Sequence, residues 1–383
     1  MKPGILLYTR SDDSWIGGVY YIKNIAFVLS CNDYIISNYK IYVVANNKYS
    51  MIYSNLPKCI NIILIKGERK ICRIINFAKL VVKNKIKYIY PMNKLHNNIF
   101  GVKPIGWITD FQKEKLSEMY PNKKEIDKWR KEINLQIKRR QHIVVSSKDS
   151  YDDFFKFFTP EPDKVHILRF VSFIENELKS IDAKSDKEIL DKYNLSGKRY
   201  ACIANQFWKH KNHILAFDAI RELKQEGKIN NFRFICTGKL SDKRNPDYIE
   251  KIRQYLNDVD MADAIINLGF VGRKEQLVLM KNAEFIIQPS LFEGWGTVLE
   301  ECKAMDKDVL LSDIPIHREQ MNERCKLFNP MEKNDLKELI MKEMEIIHKD
   351  DPQKGIDDMY RKAKQYSIGF EEILRQCSRE VRR

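Results

Sequence analysis

The strongest constraint on this chain is a rhythm that runs twice. Short apolar runs alternate with longer amphipathic stretches through residue 170, and the same pattern restarts at 199. In the first half the predicted strands cover 4–10, 40–46, 61–66, 86–92, 105–110, 142–147 and 165–170, with helices near 18–30, 68–83, 123–140 and 148–157. In the second half strands are predicted over 199–205, 232–238, 264–271, 285–290, 308–313 and 326–329. Helices fall near 213–227, 246–258, 274–283, 297–305 and 334–348. Apolar strands separated by helices imply parallel sheets covered on both faces. The polar stretch 176–198 breaks the rhythm and reads as a linker with a short helix. A length of 383 residues suits two domains. The expected fold class is α/β, with two Rossmann-like, doubly wound domains facing across a cleft. Open sheets of this kind bind ligands at the C-terminal ends of their strands.

Charge and composition narrow the partners. The net charge of +15 favours anions: nucleic acid, anionic lipid or a phosphorylated substrate. No zinc-finger spacing and no interleaved aromatic and basic motif is present, so nucleic acid is not expected. The eight cysteines (31, 59, 72, 202, 236, 302, 325, 377) are scattered and read as reduced thiols, with no metal site among them. No run reaches the roughly 18–20 apolar residues of a membrane span. The opening MKPGILLYTR leads straight into a strand. The expectation is a cytoplasmic protein, with peripheral attachment at the inner membrane face as a further possibility.

The chemistry concentrates in FIIQPSLFEGWGTVLEECKAMDKDVLLSDIPIHREQ, residues 285–320. A buried strand leads into a loop with Glu293, Gly294, Trp295 and Gly296, and a helix begins at once. The first turn of a helix offers unpaired N–H groups and the positive end of its dipole. Glycines there let an anion approach the backbone, so the segment is built as a phosphate cradle. Glu293 and Glu301 bracket it, and carboxylates accept paired hydrogen bonds from vicinal hydroxyls such as those of sugars.

With that order of features, the segment resembles the E-x7-E signature of the family-4 retaining glycosyltransferases, followed by their SDIP-type tail at Ser312-Asp313-Ile314-Pro315. The resemblance implies a GT-B architecture. It also implies that Glu293 contacts donor-sugar hydroxyls, Glu301 the ribose, and the amides of Gly296, Thr297 and Val298 the diphosphate. CIANQFWKHKNH, residues 202–213, is similar to the family's G-R-x4-K loop. Lys211 matches its Lys, whereas Gln206 stands where Arg is usual and Lys209 is a candidate substitute for that charge. Asn267-Leu268-Gly269-Phe270-Val271 resembles the strand end that lies against the nucleotide base, which brings in Phe270 and Val271. FICTGK, ending in Lys239, resembles another donor-side strand end.

The first half carries weaker signals. Gly17 and Gly18 follow the first strand, where many family members have a Gly-Gly loop facing the donor phosphates; a plain βα turn also accounts for them. Residues 107–112, WITDFQ, resemble the W-I-P-D-F-Q stretch of one family branch. Asp110 is then a candidate to bind or deprotonate the acceptor hydroxyl, with capping of the next helix as the structural alternative. HIVVSSKDSY, 142–151, resembles the end of the family's N-terminal domain. Residues 366–374 resemble a final helix that returns to it. The implied domains are 1–175 on the acceptor side, linker 176–198, nucleotide-sugar domain 199–365, and helix 366–383. Residues 123–141 hold eight basic and three acidic residues, with Ile126, Trp129, Ile133 and Ile137 at helical spacing. They read as a surface helix with a buried stripe, or as a face for anionic lipid.

The expected function is transfer of a hexose from a UDP- or GDP-linked sugar to a glycan or lipid-linked acceptor, in bacterial surface polysaccharide or glycolipid synthesis. No metal and no separate cofactor is implied. The rivals are a sugar phosphorylase or epimerase of the same fold, and a catalytically degenerate sugar-nucleotide-binding protein. A nicotinamide oxidoreductase would need a G-x-G-x-x-G turn after its first strand, which Gly17-Gly18 does not supply.

Overall fold

The computed structural model describes residues 2–8, 16–46, 50–65, 70–92 and 101–380. The chain divides into two compact units. Unit 1 comprises Met1–Glu114, Asn122–Phe173 and Tyr360–Arg383; unit 2 comprises Lys115–Pro121 and Ile174–Met359.

Unit 1 is built on seven parallel strands. They are β1 (Gly4–Leu7), β2 (Lys40–Asn46), β3 (Ile60–Ile65), β4 (Ile86–Tyr90), β5 (Lys103–Ile108), β6 (His142–Val145) and β7 (Val165–Ile167). Their order is β3-β2-β1-β4-β5-β6-β7, so the direction of winding reverses between β1 and β4. Strands β1 and β6 are buried throughout, as their unbroken apolar sequences require. The basic helix Lys123–Lys138 buries Ile126 and Ile133. Ile133 and the half-buried Trp129 join Phe111, Phe154 and Phe158 in one cluster. Burial of each such side chain contributes about 1.5–3 kcal/mol.

Unit 2 repeats the plan on six parallel strands: β8 (Arg199–Ala204), β9 (Phe232–Thr237), β10 (Ile265–Asn267), β11 (Ile286–Gln288), β12 (Val309–Ser312) and β13 (Cys325–Phe328). The order is β10-β9-β8-β11-β12-β13, which puts the reversal between β8 and β11. Phe217, Phe234, Phe285 and Leu310 lie at the centre of its core. Where a connection with one short helix is expected, residues 176–198 carry two helices, Glu175–Lys179 and Ala183–Lys192. The second is set by a true cap: Asp182 accepts the Ser185 amide at 2.8 Å. The long helix Pro352–Arg379 starts in unit 2, and its residues from Tyr360 onward pack with unit 1.

Candidate donor site

The ends of β8 and β11 sit side by side, and side-chain and backbone bonds lock their loops together. Asn205 donates to Gln288 at 3.1 Å. The Leu291 amide donates to the His210 carbonyl at 2.8 Å. This is the reversal point of the sheet, where a doubly wound fold leaves its crevice.

Two residues of that crevice meet directly. Lys211 Nζ lies 2.5 Å from Glu293 Oε1, with side chains only 13% and 11% exposed. Ser290 Oγ donates to the same carboxylate oxygen at 2.7 Å. Burial pushes the Glu293 carboxyl up, but the charge of Lys211 and its hydrogen bond, with a contribution from the neighbouring His317, more than offset it, holding the group at about 2. Glu293 is therefore an anion, and Lys211 is its counter-cation. Beneath them His317 is buried, its Nδ1 2.8 Å from the Ser312 carbonyl oxygen. Burial drives its imidazole towards the neutral form, with the Glu293 charge opposing. His210 is likewise pushed to about 3 by burial and by Lys211.

The helix Thr297–Ala304 follows, with Gly296 as its N-cap. The Gly296 amide is already engaged, since it donates to Gln320 Oε1 at 2.9 Å. Gln320 Nε2 returns a bond to the Gly296 carbonyl at 2.8 Å and another to Glu300 at 2.9 Å. Of the three amides expected to hold a diphosphate, Gly296 is thus spoken for by a side chain. Those of Thr297 and Val298 remain in the first turn, where a helix makes no internal bonds to its N–H groups. Gly294 and Trp295 are half-buried in the loop before it. Glu301, one turn further on, is buried and paired with Arg273 at 2.7 Å.

The remaining donor candidates divide. Gln206 serves the fold, since its Oε1 accepts the Lys239 amide at 2.9 Å. That bond joins the ends of β8 and β9, which approach so closely that a Cβ on Gly238 would lie 2.2 Å from the Asn205 carbonyl oxygen. Lys209 and Lys239 have exposed side chains, and the Lys209 amide is held by Asp242 at 3.1 Å. Phe270 is 68% exposed beyond β10, whereas Val271 is buried.

Three further candidates belong to unit 1. Gly17 is exposed and Gly18 buried, both within the first turn of the helix Ile16–Ser30; the preceding 9–15, with Trp15, lie outside the described residues. Asp110 is expected at a strand end, but β5 stops at Ile108 and Asp110 lies in the following loop. Its Oδ1 accepts the Gln112 amide at 3.0 Å, at the start of the short helix Gln112–Lys115. Sequence reasoning missed Gln320, His317, Ser290 and Arg273. The first three stand inside the segment 285–320, but no spacing rule marks a Gln that caps a helix 24 positions away.

Two other features lie away from this crevice. Asp308, Glu343 and His348 bring ligand-type atoms within 4.8 Å of one another. Arg324 already reaches Asp308 at 3.1 Å and Lys326 already pairs with Glu343, so protein cations neutralise these carboxylates. A cavity at the N-terminal ends of β8 and β11 is lined by Arg199, Lys281 and Lys307, each of which has a carboxylate partner.

The two sheet orders give the GT-B fold, which the chain shares with solved glycosyltransferases. Residues 185–364 match the family model of "Glycosyl transferases group 1", which makes that stretch a group 1 glycosyltransferase domain. Among curated proteins, the chain is 25% identical over 198 residues to the O-antigen chain mannosyltransferase RfbU of Salmonella typhimurium, covering 52% of this chain and 49% of that one. It is 27% identical over 172 residues to an uncharacterized glycosyltransferase, MJ1178, of Methanocaldococcus jannaschii, covering 42% and 43%. The matches thus span about half the length of these relatives or less. Among solved structures it resembles Anabaena Alr3699/HepE in complex with UDP, at TM-score 0.65 and 14% identity over 99% of this chain and all of that one. It also resembles WaaG, a glycosyltransferase involved in lipopolysaccharide biosynthesis, at TM-score 0.57 and 13% identity over 95% and 94%. At such identities the likeness speaks for the fold.

Proposed function

We propose that the protein is a retaining glycosyltransferase that moves a hexose from a nucleoside-diphosphate sugar to a glycan or lipid-linked acceptor in surface polysaccharide or glycolipid synthesis. The observation that carries this reading is the Lys211–Glu293 pair beside the open first turn at Thr297 and Val298. A carboxylate fixed as an anion suits sugar hydroxyls, and a cation and helix amides suit a diphosphate. The names of RfbU and WaaG support the polysaccharide setting.

In this mechanism the diphosphate enters above the Thr297 and Val298 amides and draws Lys211 towards it. Glu293, released from its counter-ion, accepts the sugar hydroxyls and holds the anomeric carbon in place. As the glycosidic bond breaks, negative charge grows on the departing phosphate oxygen, where Lys211 and the helix dipole stabilise it. Asp110 is kept as the candidate that binds or deprotonates the acceptor hydroxyl. The test is a thermal-shift screen against UDP, GDP, ADP and their common sugar conjugates, with Glu301→Ala alongside. Selective stabilisation by one diphosphate, lost in the variant, is expected. A folded protein indifferent to all of them would defeat the reading.

Attachment to an anionic membrane surface is part of the proposal. Lys124, Lys128, Lys131 and Lys138 lie at helical spacing on the helix Lys123–Lys138, all exposed, with half-exposed Leu135 among them. Among the described residues, none of these lysines has a carboxylate partner. Also among the described residues, no helix is long and apolar enough to cross a membrane. Flotation with phosphatidylglycerol vesicles but not with neutral ones is the expected result. Equal recovery in the two would remove the membrane from the scheme.

A further inference from the structure

Glu301 is held in a way that its expected role alone does not explain. It lies on the helix Thr297–Ala304 with its side chain 2% exposed, and Arg273 Nη2 meets its Oε1 at 2.7 Å. Arg273 is the first residue of the helix Arg273–Asn282 and directly follows the loop 268–272 that leaves β10. That helix start is pinned. Glu275 folds back to accept the Gly272 amide at 3.0 Å, and is itself held by the Tyr193 hydroxyl at 3.1 Å and by Lys192. The loop before it is tied as well: the Gly238 amide donates to the Gly269 carbonyl at 2.7 Å. The guanidinium is therefore presented from a fixed point, with Gln276 3.5 Å from its other terminal nitrogen.

A buried ion pair is weak evidence of a stabilising role, because apolar residues of similar volume often serve the fold as well. It has a clearer use in recognition. A vicinal diol presents hydroxyl hydrogens and hydroxyl lone pairs together. A carboxylate can satisfy only the hydrogens, while a guanidinium beside it supplies donors for the lone pairs. Of the two side chains Arg273 is the more accessible, at 19% against 2%, so a ligand approaching the carboxylate meets the guanidinium first.

We propose that Arg273 is a positioning residue of the donor site, which orients Glu301 and joins it in a two-residue clamp on the ribose hydroxyls of the nucleotide. The inference rests on Glu301 serving as the ribose acceptor. Its distinct content is that discrimination for ribose depends on a residue outside the E-x7-E signature.

The test is calorimetric titration of the full chain with UDP and GDP and with their 2′-deoxy counterparts. The unaltered protein should bind the preferred ribonucleotide about tenfold or more tightly than its 2′-deoxy form, as expected for a lost bond to a charged group. In Arg273→Gln that ratio should fall close to one, with affinity for the 2′-deoxy nucleotide little changed. Arg273→Lys keeps the charge without the planar fork and should give an intermediate ratio. It carries the test alone if Arg273→Gln does not fold. A merely structural role would weaken both nucleotides equally, so an unchanged ratio in a folded variant overturns the proposal. Binding without discrimination in the unaltered protein overturns it too. If neither diphosphate binds, the donor-site reading falls and takes this inference with it.

Discussion

In unit 1 the strand order reverses between β1 and β4, and among the described residues an aromatic cluster gathers beside that point. Tyr21 stacks on Trp107 with ring centroids 3.6 Å apart, and the Tyr21 and Tyr90 hydroxyls bond to each other. Tyr366, from the last helix, reaches them at 3.3 and 3.2 Å. In unit 2 the reversal between β8 and β11 gathers Lys211, Glu293, His210 and His317 instead. One winding scheme, used twice, thus holds a neutral hydroxyl cluster in one unit and a charged, hydrogen-bonded cradle in the other. In both units topology supplies the position, and in unit 2 the side chains placed there supply the ionic chemistry.

The largest effects should come from the charged cradle. Lys211→Met should lower release of nucleoside diphosphate from the preferred sugar nucleotide by about a hundred- to a thousandfold, the scale seen when a transition-state charge loses a donor. It should also destabilise the fold by about 3–5 kcal/mol, because Glu293 is left buried and uncompensated. Adding Glu293→Gln should recover most of that stability and none of the rate. Recovery of both would mean that the pair is only structural and would erase the contrast between the units. Next in size is Gly238→Ala. The residue has φ +134°, and the new methyl would press on the Asn205 carbonyl. A cost of about 3 kcal/mol or more is expected in urea denaturation. A loss below about 1 kcal/mol would mean that the β8 and β9 loops can part.

The strands of both units are legible because their apolar runs are long enough to be buried on both faces. The 40–46 strand, for example, is found at the bounds read from the sequence. The run 264–271 shrinks to Ile265–Asn267: Leu268 and Gly269 still bond to the end of β9, but Gly269 takes a left-handed φ of 67° and turns the chain out of the strand. The helices within 176–198 are hard to read because the second, Ala183–Lys192, has no fully buried residue and so no sharp stripe. At the site, Glu293 and Lys211 can be singled out by residue type and spacing. Their direct contact cannot, since they are 82 positions apart. Gln206 illustrates the same limit: sequence marks it as a missing charge, whereas the fold uses it to tie two strand ends.

A pH experiment sharpens the comparison at a smaller scale. His213 is fully buried in unit 2, stacked on Phe207 at 4.4 Å, and among the described residues neither ring nitrogen has a hydrogen-bond partner. Burial, with the Lys211 and His210 charges, lowers it to about 3. The unfolded chain takes up that proton below about 6.5, while the folded one does so only near 3. Its contribution is therefore complete above about 6.5 and declines by about 1.4 kcal/mol per pH unit as pH falls to about 3. His213→Phe should cut the stability difference between about pH 7 and about pH 5 by about 2 kcal/mol. An unaltered difference would assign the acid sensitivity to other groups, such as the lowered His142 and His166 of unit 1.

The smallest effect tests the aromatic side of the contrast. Tyr366 makes the longest contacts of the hydroxyl cluster, and the Tyr21–Tyr90 bond survives its removal. Tyr366→Phe keeps the buried ring and deletes one hydroxyl, and each of the two remaining hydroxyls keeps the other as a partner. A loss of about 0.5–1.5 kcal/mol is expected, the net worth of an ordinary hydrogen bond. Nucleotide affinity should stay within about twofold of the parent, because the proposed donor contacts are all made by charged and hydrogen-bonding groups of unit 2 itself. Urea denaturation and calorimetry on the same preparation measure the two quantities. Should the nucleotide affinity fall about tenfold with little change in stability, the hydroxyl cluster would be coupled to donor binding, and the contrast drawn between the two reversal points would fail.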